Sequence, residues 1–477
     1  MIRHAFCLLI LFLAGCQTCQ TPTYTRQPDS SEPWNTNYLI DAQPSAVPLT
    51  RLYEHAVELN DHYWAYSQVN GVLLPAWRTD TALEHPDRWL GGGDSGLYTG
   101  QALATFALQY GATKNAAVLQ SVTESLRGLY ILTHSTGEPG VIQRNAFPAH
   151  RPTEFGFPAE WQSRIARGYV GTGPELADPF GGPPIPPSTY YTRGTKDQLT
   201  GLILGLATVW RVMDPATVDG GHQQQAVQLR AVAKQIADAI YAHLVAHNWR
   251  IRARNSNTGE WDNDTGADYV DQLLRACVLG LVVHMGNTGL QQEYDEVFDE
   301  FIDLSNTLAY ADRFANFSQY YAHNLRASRT LTLWLLEGAG SVKGQAIAGY
   351  YERNVWRFTR GHRSAWFAYV RAATAPTDTI ATLEGLYSLR SLTLKPIRMW
   401  SSPYHGQEQK PNIVSSLICV NRYILDPHLR KPEDFSTWQK EPWDVGPERD
   451  WDREGLGDSS GIDYMLAYWL GRYYGIL

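Results

Sequence analysis

The stretch LYTGQALATFALQY, residues 97–110, is apolar on nearly every side when it is read as a helix. The stretch that follows, residues 114–133, is amphipathic, and Val118, Val122 and Leu126 form its apolar stripe. An amphipathic helix packs through one face only, whereas a helix that is apolar all round must be buried on several sides. Together the two stretches predict a hairpin with one buried helix and one outer helix.

The same pairing recurs along the chain, and this recurrence decides the fold class. The amphipathic type returns at residues 223–245 and 291–308. The type that is apolar all round returns at residues 199–210, 273–285, 331–336 and 462–477. Shorter, interrupted patterns occupy residues 356–370 and 379–394. We therefore expect an all-α fold of five to six helical hairpins, and nothing in the sequence argues for a β-sheet.

An inner ring of buried helices inside an outer ring of amphipathic helices resembles the six-hairpin (α/α)6 toroid. Many glycoside hydrolases, several polysaccharide lyases, terpene-processing enzymes and lanthipeptide cyclases share that fold. The resemblance rests on the helix pattern, and it implies a single toroid domain over residues 49–477. The zinc-binding cyclase form is disfavoured because Cys277 and Cys419 have no recognisable Cys-His companion. No metal and no other cofactor is expected.

The N-terminus has the pattern of an export signal. Arg3 is followed by an apolar run that is too short to span a bilayer as a stable helix. Residues 13–16, LAGC, resemble the lipobox of bacterial lipoproteins. The resemblance implies a cleaved signal peptide over residues 1–15 and a lipid anchor at Cys16. The alternative is an ordinary signal peptide that is cut at another site.

The residues after Cys16 predict where the folded body sits. Gln17 differs from the aspartate that typically retains lipoproteins in the inner membrane, so the resemblance favours the outer membrane. Residues 16–48 are polar and rich in Thr, Ser, Pro and Asn, which predicts a flexible tether. No later stretch is long and apolar enough for a second membrane span. We expect a protein of the bacterial cell envelope whose membrane contact is the lipid at Cys16.

The charge and cysteine content exclude other classes of protein. The formal net charge is -8, from 48 acidic and 40 basic residues, and no basic block is present. Nucleic acid is therefore not expected as a partner. The 5 cysteines show neither a disulfide framework nor zinc-ligand spacing. Cys277 and Cys419 lie in apolar surroundings and are expected to be buried small hydrophobes.

The starts of the predicted inner helices are rich in carboxylates and glycines. In a toroid these starts share one face, where a carboxyl group that protonates a leaving oxygen can meet a second that activates water or attacks. Asp94 and Asp458 are the first predicted catalytic pair, and Asp197 is the third candidate. The helix starts are Gly93-Asp94-Ser95-Gly96, Thr195-Lys196-Asp197-Gln198, Thr265-Gly266-Ala267-Asp268 with Asp271, and Gly457-Asp458-Ser459-Ser460-Gly461 with Asp463.

Helix capping is the competing explanation for these residues, because Asp, Ser and Thr are preferred N-caps. Capping accounts well for Asp268 and Asp463. It accounts less completely for Asp94 and Asp458, which lie in glycine-rich turns where the backbone can approach a ligand. Three pairs have the spacing of a capping box: Thr195 with Gln198, Thr265 with Asp268, and Ser460 with Asp463.

Aromatic residues make up 12% of the chain and include 16 Trp and 27 Tyr. Sugars present C–H faces that pack on such rings, although aromatic residues also fill the interfaces of large helical proteins. Two long connections, residues 137–192 and 395–457, carry many of them and are expected to be functional. The predicted substrate-binding residues are Trp89, Tyr98, Gln198, Asp271, His323, Asn324, Trp400 and His405.

Three functions remain open at this point. The first is a carbohydrate-active enzyme, most simply a glycoside hydrolase acting on a poly- or oligosaccharide with paired carboxylates. The second is a polysaccharide lyase, in which His323 or a tyrosine is the base and Asn324 neutralises a uronic carboxylate, with His405 as a further contributor. The third is a non-catalytic lipoprotein that binds glycan or organises the envelope.

Overall fold

A computed structural model describes most of the region from residue 46 to the end of the chain. The described residues are 46–74, 76–78, 88–89, 94–150, 158–261, 269–308, 320–360, 364–394, 456–458 and 460–477. The predicted signal peptide, almost all of the tether, and the predicted site residues Cys16, Trp400 and His405 lie outside this part of the chain.

Helices make up most of the described residues, which confirms the all-α class expected from the sequence. The helix Val342–Tyr351 continues through a π-helical turn at Glu352–Trp356 and a last turn at Arg357–Thr359. The helices are α1 (Leu49–Tyr66), α2 (Ser95–Thr113), α3 (Ala116–His134), α4 (Pro158–Ala166), α5 (Lys196–Val212), α6 (Gln223–Ala246), α7 (Gln272–His284), α8 (Gln291–Leu308), α9 (Tyr320–Glu337), α10 (Val342–Tyr351), α11 (Ala365–Thr374), α12 (Thr379–Thr393) and α13 (Ile462–Tyr473).

Short strands occupy several connections, although nothing in the sequence argued for a sheet. They pair antiparallel in the orders β1-β2, β4-β3-β8 and β5-β7-β6. Strands this short cannot show the alternating pattern that reveals a strand in a sequence. The strands are β1 (Gln68–Val69), β2 (Val72–Leu73), β3 (Ala76–Arg78), β4 (Arg88–Trp89), β5 (Asn145–Pro148), β6 (Val170–Thr172), β7 (Ser188–Tyr191) and β8 (Leu456–Asp458).

The two kinds of helix predicted from the sequence are confirmed by their burial. Helices α2, α5, α7 and α13 are buried along most of their length. Helix α3 buries Val118, Val122 and Leu126 on one face, and α6 buries a comparable stripe. Cys277 is fully buried in α7, as its apolar surroundings predicted. No described helix is both long and apolar enough to cross a membrane.

Each buried helix before α13 packs on the helix that follows it in the chain. The successive pairs are α2 with α3, α5 with α6, α7 with α8, α9 with α10, and α11 with α12. The last helix, α13, packs instead on the first, α1. Buried helices also contact one another: α2 packs on both α5 and α13, α5 on α9, and α11 on α13.

Glycines allow α2 and α5 to approach closely. A Cβ atom added at Gly100 would lie 2.0 Å from the carbonyl oxygen of Gly201, and one added at Gly201 would lie 2.2 Å from that of Leu97. Only glycine fits at such a backbone contact. Because these residues belong to the early turns of both helices, the two N-terminal ends lie side by side.

Candidate functional site

Gln198 joins the starts of α2 and α5. Its Nε2 donates a hydrogen bond of 2.7 Å to Oδ1 of Asp94, the N-cap residue of α2. Its Oε1 accepts the backbone N–H and the hydroxyl of Thr195, at 2.7 and 2.6 Å. The capping box predicted for Thr195 and Gln198 is therefore confirmed. The Asp94 carboxylate itself makes no capping bond to the described first turn of α2.

The carboxyl group of Asp94 is partly desolvated and has charged and polar neighbours. Burial raises its pKa, and the negative charge of Asp197 raises it further. The positive charge of Arg144, whose Nη1 lies 4.0 Å from Oδ1, and the bond from Gln198 act in the opposite direction. The Asp94 side chain is still 41% exposed. A group that is desolvated by surrounding protein and yet open to solvent is accessible to a ligand from one side.

Asp197 is the second residue of α5 and the electrostatic partner of Asp94. Burial raises its pKa, against the positive charges of Arg329, Lys196 and Arg144. Its Oδ1 is buried and accepts no hydrogen bond from any described residue. A buried acceptor without a donor costs free energy, and a bound ligand or water that donates a hydrogen bond removes that cost. The structure thus brings Asp94 and Asp197 together in one cluster.

Tyr98 lies one turn after Asp94 on α2. Burial raises the pKa of its phenol well above the ordinary value, and the nearby charges of Asp94, Asp463 and Asp197 raise it further. The hydroxyl is buried and has no hydrogen-bond partner among the described residues. A neutral phenol keeps its proton and can therefore donate a hydrogen bond to a ligand. Tyr98 therefore places an unused donor beside the carboxyl pair.

Asp271 is the N-cap of α7, and its Oδ1 accepts the backbone N–H of Leu274 at 3.1 Å. Its Oδ2 accepts Nη1 of Arg329 at 2.8 Å. Burial by itself would raise the Asp271 pKa, but Arg329 and the hydrogen bonds outweigh it, so the pKa is lowered. Asp271 therefore remains ionised, and its described contacts are structural ones. We predicted it as a substrate ligand from its place at a helix start.

Arg329 is a residue that the sequence did not single out. Its side chain is almost completely buried in α9, where Nε donates to Oγ1 of Thr200 at 2.9 Å. Its Nη2 is also buried and has no acceptor among the described residues. Its positive charge acts on both Asp197 and Asp271. An arginine in the middle of a helical pattern gives no sequence signal for this role.

The start of α13 differs from the prediction. A capping box from Ser460 to Asp463 was expected, but the N-cap is Gly461 in a left-handed conformation, φ 69°, and it has no side chain that could cap. Asp463 is 4% exposed, and its negative charge raises the pKa of Tyr98. The left-handed glycine removes Ser460 from the capping position, which is why this capping prediction was wrong. The capping pair predicted at Thr265 and Asp268 lies outside the described residues.

Asp458 and Trp89 flank the same residue of a small sheet. In the β4-β3-β8 sheet, Ala76 pairs with Trp89 on one side and with Asp458 on the other. Their backbones are therefore two strand spacings apart, about 10 Å. Trp89 donates Nε1 to the carbonyl of Tyr66 at 3.1 Å and packs against the core. The carboxyl group of Asp458 is not among the described atoms, so its pairing with Asp94 stays a prediction.

His323 and Asn324 lie near the start of α9 and are buried. Their exposed fractions are 5% and 1%. Asn324 Oδ1 has no hydrogen-bond partner among the described residues. The structure therefore places these two residues inside the helical body, and the acids at the starts of α2 and α5 are more accessible.

The described residues do not contain a group of three His, Cys, Asp or Glu side chains that could hold a metal ion. The site is instead a set of carboxyl groups with arginine, lysine and tyrosine around them. No protein-family profile, curated protein or solved structure is significantly similar to this chain.

Proposed function

We propose that the helices form an (α/α)6 toroid of six hairpins. The contacts between buried helices support a closed ring, because they run from α2 through α5, α7, α9, α11 and α13 and return to α2. The packing of α1 on α13 supplies the sixth hairpin from the two ends of the domain. The side-by-side starts of α2 and α5 support a common face for the acids.

On this ring we propose a glycoside hydrolase that uses Asp94 and Asp197. The observation that carries the proposal is the pair of carboxyl groups at adjacent helix starts, each with a raised pKa and with Asp197 acting electrostatically on Asp94. We infer that one of the two is protonated while the other is ionised, since a raised pKa favours the protonated form. This is the state that glycoside hydrolysis requires.

The roles of the pair follow from that state. The protonated carboxyl group donates its proton to the oxygen of the leaving sugar, and the ionised one activates water or attacks the sugar carbon. Gln198 fixes the orientation of Asp94. The Tyr98 hydroxyl donates a hydrogen bond to the bound sugar or to the attacking water. Asp458 remains the alternative second carboxylate.

The other two functions have weaker support. A lyase base must touch the hydrogen that it removes, and His323 and Asn324 are almost completely buried. A protein that only binds glycan can use Oδ1 of Asp197 to accept a sugar hydroxyl, but it has no need of two neighbouring carboxyl groups with raised pKa values. Groups that cost stability persist where a reaction needs them.

The enzymatic proposal is tested with the full chain in detergent and a panel of poly- and oligosaccharides, by assay of new reducing ends. Asp94→Asn and Asp197→Asn each lower turnover by roughly 10²- to 10⁴-fold, the usual contribution of acid–base catalysis. The control is Asp214→Asn, beyond the C-terminal end of α5, where Asp214 pairs with Arg230. It leaves turnover unchanged.

Two further outcomes decide the assignment. Tyr98→Phe lowers kcat/KM about 10-fold, the value of one hydrogen bond to a substrate, and leaves the unfolding temperature unchanged. Unchanged product formation in both aspartate variants contradicts the proposed residues. The absence of product from every glycan contradicts hydrolysis.

We also propose that the protein is a lipoprotein of the bacterial envelope, anchored at Cys16 in the outer membrane and held by the residue 16–48 tether. Expression in a bacterium that is fed labelled palmitate tests the anchor. Label is incorporated into the full chain and into Cys19→Ser, and it is lost in Cys16→Ser. Label that persists in Cys16→Ser, or a protein that fractionates with the inner membrane, contradicts this part of the proposal.

A further inference from the structure

Three arginines and two tyrosines form a charged aromatic surface beside the acid pair. The ring of Tyr191 has the guanidinium carbon of Arg164 at 4.3 Å from its centroid and that of Arg144 at 5.8 Å. The guanidinium carbon of Arg193 lies 4.5 Å from the ring centroid of Tyr169. We call these five residues the arginine–tyrosine surface.

The β5-β7-β6 sheet and its flanking turns bring these residues together. Tyr191 pairs with Asn145 of β5 and with Val170 of β6. The carbonyl of Tyr191 accepts the N–H of Arg144 at 2.9 Å. The sheet therefore aligns side chains from residues 144 to 193 that are far apart in the chain.

Arg193 holds the Arg144 side chain in place through a strained backbone conformation. Its backbone is left-handed, with φ 68°, a conformation that is unfavourable for a residue other than glycine. Its carbonyl accepts Nε of Arg144 at 2.9 Å. Backbone strain of this kind persists only where the surroundings fix it, and it is concentrated at functional sites. The orientation of the Arg144 guanidinium is thus built into the fold.

Arg144 connects the arginine–tyrosine surface to the acids. Its carbonyl accepts the N–H of Gly96 in the first turn of α2 at 3.1 Å, and its Nη1 lies 4.0 Å from Asp94. Lys196 adds a further positive charge beside Asp197. The chain as a whole has a net charge of -8, so this local concentration of cations is not an average property of its surface.

Resting on the proposed hydrolase function, we propose that the substrate glycan carries an anionic group, carboxylate or sulfate, on the sugar next to the bond that is cleaved, and that the arginine–tyrosine surface binds this group. Planar guanidinium groups bind such anions through two parallel hydrogen bonds. The tyrosine rings hold these guanidinium groups in place through cation–π contacts.

The position of Arg144 gives the anion a second effect. The positive charge of Arg144 lowers the pKa of both Asp94 and Asp197, which opposes protonation of the acid. A substrate anion beside Arg144 offsets that charge, so the acid gains its proton when the correct substrate is bound. A neutral sugar does not offset the charge of Arg144.

The test uses the full chain and two matched substrate pairs: a uronic-acid polysaccharide with its carboxyl-reduced form, and a sulfated polysaccharide with its desulfated form. The wild type cleaves the charged member of one pair at least 10-fold faster, in kcat/KM, than the neutral member. The pair that shows the preference identifies carboxylate or sulfate. The preference weakens with added salt, because salt screens exposed charges.

Arg164→Gln lowers kcat/KM for the charged member until it approaches the value for the neutral member, so most of the preference is lost. Arg164→Lys keeps the charge without the planar fork and is intermediate. The control is Lys114→Gln, which removes a positive charge at the C-terminal end of α2. A helix of 19 residues is about 27 Å long, so Lys114 is far from Asp94 at the other end. This variant keeps the wild-type preference.

Failure of this inference is distinguishable from failure of the hydrolase. Equal cleavage of charged and neutral members by the wild type overturns the anion site and leaves the hydrolase in place. If no glycan is cleaved, calorimetric titration with a uronic-acid oligosaccharide and a sulfated oligosaccharide decides. Binding that Arg164→Gln weakens at least 5-fold supports the site without the enzyme, and binding that is absent or unaffected overturns it.

Discussion

Gln198 binds Asp94 across the contact between α2 and α5, with Nε2 donating to Oδ1 at 2.7 Å. The same amide accepts the N–H of Thr195 and so caps α5. Capping and ligand chemistry were competing explanations for these helix starts in the sequence. The Gln198 side chain joins the two, because the same amide group caps α5 through Oε1 and binds Asp94 through Nε2.

The hydrogen bond from the Gln198 amide lowers the pKa of Asp94, against the larger effect of burial. Gln198→Glu keeps an acceptor for Thr195 but places a second carboxylate against Asp94, and a like charge at that distance raises the Asp94 pKa. A titration of the Asp94 carboxyl carbon by NMR measures the change. Gln228→Glu on α6 introduces the same charge elsewhere and leaves the Asp94 pKa unchanged. A lower Asp94 pKa in Gln198→Glu contradicts this account.

The raised pKa values of Asp94 and Asp197 have a stability consequence that depends on pH. A carboxyl group whose folded pKa lies above its unfolded value, about 3.9, favours the folded state when protonated, and this contribution is lost as pH rises through the folded pKa. Asp94→Asn and Asp197→Asn mimic the protonated form. Both variants therefore unfold at a higher temperature than the wild type at pH 7.

The gain in these two variants disappears near pH 3, where the wild-type carboxyl groups are protonated in both states. Thermal unfolding followed by circular dichroism at pH 3, 5 and 7 measures this. Asp271→Asn shows the opposite trend at pH 7, because the Asp271 pKa is lowered in the folded state. An equal gain at pH 3 and pH 7 in Asp94→Asn contradicts the assigned pKa direction.

The ion pair of Arg329 and Asp271 holds α9 against α7. Arg329→Met removes the donor to Asp271 and the donor to Thr200, and it costs about 1–3 kcal/mol of unfolding free energy, the usual penalty for polar groups left without partners. Asp271→Asn also destabilises at pH 7. The double variant loses less than the sum of the two single variants, because the residues share one interaction. Additive losses in urea unfolding contradict a direct pair.

The glycine contact between α2 and α5 sets the spacing of the acid pair. Gly201→Ala places a Cβ atom against the backbone of Leu97 and separates the helices, at a cost of about 1–3 kcal/mol. The Gln198 to Asp94 bond is three residues away, so activity falls as well. Gly220→Ala is the control, because a Cβ atom there meets nothing within 4 Å. Equal unfolding temperatures for the two variants contradict a backbone contact.

Much of the architecture can be predicted from the sequence because the spacing of apolar residues along the chain indicates which helices are buried and which are amphipathic. The apolar pattern at residues 97–110 predicted the buried α2, and the stripe at residues 114–133 predicted the amphipathic α3. The capping box of Thr195 with Gln198 was also predictable, since it involves residues three apart. Asp94 was predicted as a site residue from its glycine-rich turn at the start of a helix.

Tertiary structure alone decided how these pieces form a site. Gln198 and Asp94 are 104 residues apart, and Arg329 reaches Thr200 across 129 residues. Arg144 and the arginine–tyrosine surface depend on strands too short to leave a pattern, and Asp463 is buried because Gly461 takes the capping position. A local pattern specifies which face of a helix is apolar, but the partner of a charge depends on how distant helices pack, and that is a property of the whole fold.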